Sequence, residues 1–258
     1  MSELKYIPFE EEQDNIKTVV TGYWTKRAES FLTQRQHELA SPKAVSWREE
    51  ITGQIKRLKI SGTDEIKILD IGCGTGYFPV LFGKEGYEIT GIDLTEEMVV
   101  RAKELVAENG PYRKKVEILK MDAENLDFDD ESFDVIITRN LTWTLPHPIE
   151  AYREWFRVLK KDGLLLNFDA EYAKGAHNLK THENRAHKDI SDELKDECHE
   201  IYHMLTISFL DRPSWDNEIL KNIGFRRVDI DKDFGDRIFK EKDEFYIPDK
   251  MFMVCAFK

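Results

Sequence analysis

The sequence predicts an α/β fold: a doubly wound seven-stranded sheet, mostly parallel with an antiparallel last strand, carrying an N-terminal helical lid and a helical insertion after strand five. Three observations predict it. Short apolar runs alternate with helix-length amphipathic segments from residue 66 to residue 168. The first run, IKILDI at 66–71, passes straight into a turn with glycines at alternate positions, Gly72, Gly74 and Gly76. The last two runs, 225–230 and 251–257, lack a helix-length pattern between them, so a hairpin-like antiparallel finish is expected.

Taken in order, residues 14–39 contain no proline and read as a helix with loose apolar spacing, suited to a lid. Ser46-Trp47-Arg48-Glu49 matches a capping box, and Trp47, Ile51, Ile55 and Leu58 recur at helical spacing, so a helix is expected over 46–59, ended by Gly62. Strand one is 66–71, because a parallel strand buried on both faces reads as a continuous apolar run. A helix over 77–84 follows the glycine turn, then a strand at 87–92 closed by Asp93. Thr95 opens a helix with Met98, Val99, Ala102, Leu105 and Val106 on one face, and Asn109-Gly110-Pro111 stops it. Strands at 116–121 and 133–138, a helix at 149–159, a turn at Lys161-Asp162-Gly163 and a strand at 164–168 complete the regular part. Residues 170–213 break the rhythm: they are polar and histidine-rich, with helix expected in the second half. A helix over 214–223, ended by Gly224, precedes the last two strands. The organisation expected is a lid or cap at 1–60 and a sheet domain at 61–258 with a substrate-cap insertion at 170–213.

Composition bounds the function. The chain has 258 residues, 41% hydrophobic and 34% charged, with net charge −12 and pI near 5.2. Hydrophobic content suffices for a core, while the acidic balance argues against a broad nucleic-acid footprint, which needs clustered Lys and Arg. No apolar run is long enough to span a bilayer and there is no signal-peptide pattern. Cys73, Cys198 and Cys255 are an odd count without framework spacing, which fits reduced thiols in a cytoplasmic protein.

The glycine turn carries the chemistry. Glycines after a strand allow close backbone approach to a ligand, and the next helix points free N–H groups at it. The dinucleotide fingerprint G-x-G-x-x-G would need glycine or alanine at position 77, where Tyr77 stands. Asp93, at the end of strand two and 21 residues beyond Gly72, can accept from ribose hydroxyls or serve as a helix N-terminal acid. Met98 can pack on an adenine face or in the core. Asp122, after strand three, can accept from an adenine amino group beside the Ala123 backbone, or be a solvated loop acid.

Asp70 with the three glycines, then Asp93, then Asp122, then ESFDVIITRNLTWTLPHP and RVLKKDGLLLNF appear in the order of the motifs of the class I S-adenosylmethionine-dependent methyltransferases, and the chain resembles that family over about residues 60–170. The resemblance implies a Rossmann-like sheet and S-adenosyl-L-methionine as cofactor, with S-adenosyl-L-homocysteine as product. It further implies that the turn of Asp70, Gly72, Gly74 and Gly76 holds the methionine moiety, that Asp93 with Leu94 holds the ribose, and that Asp122-Ala123 holds the adenine. Asn140 and Leu141 would line the floor near the sulfonium. The segment 22–27, GYWTKR, is similar to the N-terminal lid motif of small-molecule members, in which Tyr23 and Arg27 would meet the cofactor carboxylate.

Methyl transfer from a sulfonium is positioning chemistry, and a general base is needed only where the acceptor must shed a proton. Candidates are Asp169 and His147, with Glu171 and Tyr172 nearby. Trp24, Trp143, Tyr172, Tyr202 and Trp215 could form an apolar or cation-binding pocket. The expected partner is a small-molecule acceptor, with no nucleic acid and no membrane. Two alternatives stand beside this reading. His199-Glu200-Ile201-Tyr202-His203 matches H-E-x-x-H, which would suit a metal-dependent hydrolase. A cofactor-binding sensor without turnover would carry the same glycine turn.

Overall fold

The computed structural model describes residues 9–58 and 66–258. The expected helix stop at Gly62 and the boundary between 60 and 61 lie outside the described residues. Two helices, α1 (Phe9–Leu39) and α2 (Pro42–Ile55), precede the sheet. Then come β1 (Lys67–Ile71), α3 (Tyr77–Lys84), β2 (Glu88–Asp93), α4 (Glu96–Asn109), β3 (Val116–Lys120), β4 (Phe133–Arg139), α5 (Pro148–Val158) and β5 (Leu159–Asp169). After the segment 170–213, which contains α6 (Asp192–Met204), follow α7 (Ser214–Ile223), β6 (Arg227–Asp231), α8 (Phe234–Ile238) and β7 (Phe252–Phe257).

The strands form one sheet in the order β3-β2-β1-β4-β5-β7-β6. The pairs β3·β2, β2·β1, β1·β4 and β4·β5 are parallel, and β7 lies antiparallel between β5 and β6. The order reverses between β1 and β4, which leaves a crevice beyond their carboxyl ends, where open α/β sheets bind ligands. Alternation along the strands explains the two buried faces. Ile68, Val135, Ile137, Leu164 and Leu166 pack with Trp47 of α2 and Phe78 and Phe82 of α3. Leu69, Ile71, Ile136 and Leu165 pack with Tyr152 and Trp155 of α5 and Leu220 of α7. With about 2 kcal/mol for burying a large apolar side chain, these faces supply the main driving force.

Two expectations shift, and the pairing of the last two strands, antiparallel as expected, is filled in. Helix α2 begins at Pro42 with Ser41 as its cap, the Ser41 hydroxyl accepting from Lys43 N–H at 3.2 Å, so the Ser46 capping box lies inside the helix. Strand β5 begins at Leu159, five residues early. Leu159 pairs with Phe133, and the stretch expected as a turn is an irregularity within the strand, with Asp162 at φ 64°. Finally, β7 inserts between β5 and β6, and the short helix α8 joins the last two strands.

Candidate active site

One cavity of about 180 Å³ opens over the β1–β4 crevice. Its floor is the glycine turn and the carboxyl ends of β1 to β4, and its cover is α1 together with parts of 170–213 and of the loop before β7. The glycines are required by geometry at two places. Gly72 has φ +70°, and a Cβ there would meet the Leu141 side chain at 2.8 Å; Gly76 has φ +89° and sits 3.2 Å, by the same measure, from Ala102 of α4. Gly74 faces the cavity, with Phe31 of α1 above it.

Asp93 ties the turn to the next loop. Its Oδ2 accepts Gly74 N–H at 3.0 Å and its Oδ1 accepts Thr95 N–H at 2.9 Å. Burial raises its carboxyl above the usual range, and these N–H donors oppose that rise. Asp70, on the same wall, is pushed well up by burial and then by the charge of Asp93, with Arg139 opposing. Asp122 Oδ1 accepts Glu124 N–H at 2.9 Å, and its Oδ2 pairs with Lys17 of α1 at 2.7 Å. Lys17 also reaches Glu124 at 2.6 Å, so α1 is pinned over the β3 end. Asn140 takes φ 57°, donates its N–H to Phe168 O at 2.8 Å, and accepts the Tyr172 hydroxyl at 2.7 Å.

Of the residues expected to meet the cofactor, Tyr23, Asp70, Gly72, Gly74, Asp93, Leu94, Met98, Asp122, Ala123, Asn140 and Leu141 come to this one cavity. Two do not line it. Gly76 packs against α4, and Arg27 is buried beside the cavity, where it donates to the Tyr23 hydroxyl at 3.1 Å. The two base candidates also fall outside. Asp169 is fully buried: Oδ1 accepts Ala170 N–H at 2.9 Å, while Oδ2 accepts Trp143 N–H at 3.0 Å and Arg212 Nη1–H at 2.7 Å. Those bonds fix the Trp143 loop and hold Asp169 behind the cavity wall. His147 caps α5 and holds Glu124 through its backbone N–H at 2.7 Å and its Nδ1 at 2.9 Å, a turn residue by geometry.

The aromatic expectation holds in part. Trp24, Trp143, Tyr172 and Tyr202 line the cavity, with Trp143 4.8 Å from Tyr202 and 5.5 Å from Tyr172 between ring centroids. Trp215 packs instead against Tyr152. His199 and His203 meet edge to face at 4.7 Å on α6, and among the described residues no group of three or more His, Cys, Asp or Glu side chains could hold a metal ion.

Residue patterning missed a buried charge cluster. Glu38 of α1 is fully buried and accepts from Arg35, from Trp47 Nε1 at 3.2 Å and from Arg139 at 3.0 and 3.2 Å. Burial alone would raise its carboxyl, but Arg139 and Arg35 hold it below the usual range. Both arginines line the cavity. The spacing of Arg27, Phe31 and Arg35 at four-residue steps marks one helix face and was the available signal.

Comparison with known proteins fits this geometry. Residues 69–167 match the family of methyltransferase domains. An uncharacterised Haemophilus influenzae protein is 30% identical over 166 residues, 63% of this chain and 59% of the relative. The phosphatidylethanolamine N-methyltransferase of Cereibacter sphaeroides is 39% identical over 97 residues, 38% of this chain and 47% of that protein. The chain thus spans about half the length of the curated relatives it matches. A solved Methanococcus maripaludis protein, provisionally assigned as an S-adenosyl-L-methionine-dependent methyltransferase, shares the fold at TM-score 0.57 and 17% identity, over 99% of this chain and 96% of that one. The motif order of the sheet ends agrees with that match: residues 69–167 carry a methyltransferase domain, on the fold of S-adenosylmethionine-dependent methyltransferases.

Proposed function

We propose that the protein transfers the methyl group of S-adenosyl-L-methionine to a small-molecule acceptor enclosed between the sheet, α1 as a lid and residues 170–213 as a cap. The single observation that carries this reading is the convergence on one cavity of Gly74, Asp93, Asp122 and Asn140, each from the carboxyl end of a different strand. The residues present fit the cofactor. Gly74 leaves room that a side chain would fill, Asp93 presents a carboxylate fixed beside the turn, and Tyr77 OH and Arg139 Nε lack hydrogen-bond partners among the described residues.

When bound, the cofactor supplies an electrophilic methyl on a positively charged sulfur. Asp93 would accept from the ribose hydroxyls, Asp122 from the adenine amino group and the Ala123 backbone would meet a ring nitrogen. Lys17 now holds Asp122, so adenine entry requires that ion pair to loosen or share. The acids Asp70 and Asp93 favour a cationic centre above the turn. Trp24, Trp143 and Tyr202 exclude water and set the acceptor's line of approach, which is the main catalytic demand.

Calorimetric titration with S-adenosyl-L-homocysteine tests the reading. The expected result is one site per chain, weakened on the order of 10- to 100-fold by Asp93→Ala, the loss of about 1.4–2.8 kcal/mol. Ligand at a hundredfold its Kd should add about 2.7 kcal/mol of stability and raise the melting temperature by about 5–10 °C. Absence of both effects would reject the cofactor site. Binding without transfer of labelled methyl into a broad metabolite extract would favour a sensor.

A further inference from the structure

Asp70, Asp93 and Asp122 line the sheet end of the cavity and suit a cationic cofactor. Two arginines also line it near Tyr77: Arg35 of α1 and Arg139, the last residue of β4. Their guanidinium carbons lie 5.9 and 5.4 Å from the Tyr77 ring, and they share one carboxylate, Glu38. Two guanidinium groups share one fully buried acid, Glu38, with Asp70 the next acid within reach of Arg139, in a chain whose net charge is −12.

The cap brings two further groups. Asn184 is 2% exposed, and its Oδ1 has no hydrogen-bond partner among the described residues; His187 Nδ1 is likewise unpartnered. Both residues line the cavity, and Gln34 of α1 donates to Ala186 O at 3.2 Å, which seats this part of the cap on the turn of helix that carries Arg35. Burial, followed by the charges of Arg27, Arg35 and Lys195, lowers the His187 imidazole to about 3, so it stays neutral and can offer an N–H. Turning the Asn184 amide exchanges its bare oxygen for an N–H donor. Buried polar groups without partners are costly and mark a place where a ligand completes the bonding. The acid on this wall outside the sheet end is Asp249, which accepts from Asn178 at 3.3 Å.

We propose that Arg35, Arg139, Asn184 and His187 form an acceptor subsite for an anionic group, a carboxylate or a phosphate ester, so that the methyl acceptor is a small anionic molecule. This rests on the methyltransferase reading and deepens it. Arg35, Asn184 and His187 stand outside residues 69–167, the part matched by the general methyltransferase domain, which is where acceptor choice is expected to reside. The subsite acts by binding and orientation alone: bidentate or forked donation to the anion fixes one end of the acceptor while its nucleophilic end faces the sheet.

The test uses the full chain saturated with S-adenosyl-L-homocysteine at low ionic strength, titrated separately with inorganic phosphate and with acetate. Two variants are compared. Arg35→Gln leaves Glu38 paired with Arg139, and Asn184→Ala touches neither the charge cluster nor the sheet ends. The expected result is saturable one-to-one binding of at least one anion, weakened tenfold or more in both variants, while S-adenosyl-L-homocysteine affinity changes less than threefold. Retained cofactor-product affinity also reports that each variant is folded. Three results overturn the proposal. One is no saturable anion binding by the wild-type chain, or binding that neither variant weakens: an adventitious ion only. Another is loss of S-adenosyl-L-homocysteine affinity in Arg35→Gln, with 5′-methylthioadenosine affinity unchanged, which would assign the arginine to the cofactor's own carboxylate. The third is no S-adenosyl-L-homocysteine binding by the wild-type chain, which would remove the methyltransferase reading itself.

Discussion

Asp70 sits one position before the end of β1, 2% exposed, on the wall of a cavity that also holds Asp93. Its carboxyl is raised by burial first and by Asp93 second. The folded chain therefore binds this proton more tightly than the unfolded chain, whose value is near 3.8. The stability this contributes is fully present below the unfolded value and is lost as pH rises through the folded one. Asp70→Asn should accordingly raise the melting temperature of the ligand-free chain relative to wild type, by an amount that grows as pH rises above 3.8 and reaches about 2–4 °C per kcal/mol relieved. The same substitution should weaken S-adenosyl-L-homocysteine, whose ammonium favours the ionised acid. Thermal melts across that range check both parts, and a pH-independent difference would contradict the assignment. The acids of the sheet ends were legible in the sequence because each directly follows an apolar run. Glu38, Arg35 and Arg139 were not, because Arg139 and Glu38 meet across 101 positions and no local pattern links them.

Among the elements, the β-α alternation was readable because the central strands β1, β4 and β5 are buried on both faces and α4, α5 and α7 each present one apolar side. The start of α2 was misread because a capping-box match at Ser46 competed with a Ser-Pro start at Ser41, and only the packing of Ala44 and Trp47 decides between them. The exchange of β6 and β7 could not be read, since strand order is a non-local pairing choice. Asp169 was reachable by the same logic that found Asp93, an acid at a strand end, but its partner Arg212 lies 43 positions away and turns it into a brace. That brace joins β5, the Trp143 loop and α7 through Asp169, Arg212 and Asp216, all buried. Arg212→Met should therefore cost about 3–5 kcal/mol by leaving two buried carboxylates unpaired. Urea unfolding measures this directly, and a loss below about 1 kcal/mol would show the brace to be dispensable.

On the scale of the whole molecule, the proposed function assigns the sheet ends and glycine turn to the cofactor and the cover to the acceptor. Helix α1, about 45 Å long at 1.5 Å per residue, runs along the cavity. It is tied down by Lys17 to Asp122 and Glu124 at one end and by the Arg35–Glu38–Arg139 cluster at the other. Lys26 pairs with Glu197 of α6 between them, so lid and cap meet directly over the cavity. Among the described residues no helix is long and apolar enough to cross a membrane. What fills the space above Gly74 decides whether the cofactor binds there. A crystal structure of the chain grown with S-adenosyl-L-homocysteine should show the adenosyl group over the turn, with the ribose hydroxyls within hydrogen-bond distance of Asp93 and the adenine amino group at Asp122. Electron density for the ligand elsewhere, or a cavity filled by protein side chains with Asp93 still bonded only to Gly74 and Thr95, would contradict it.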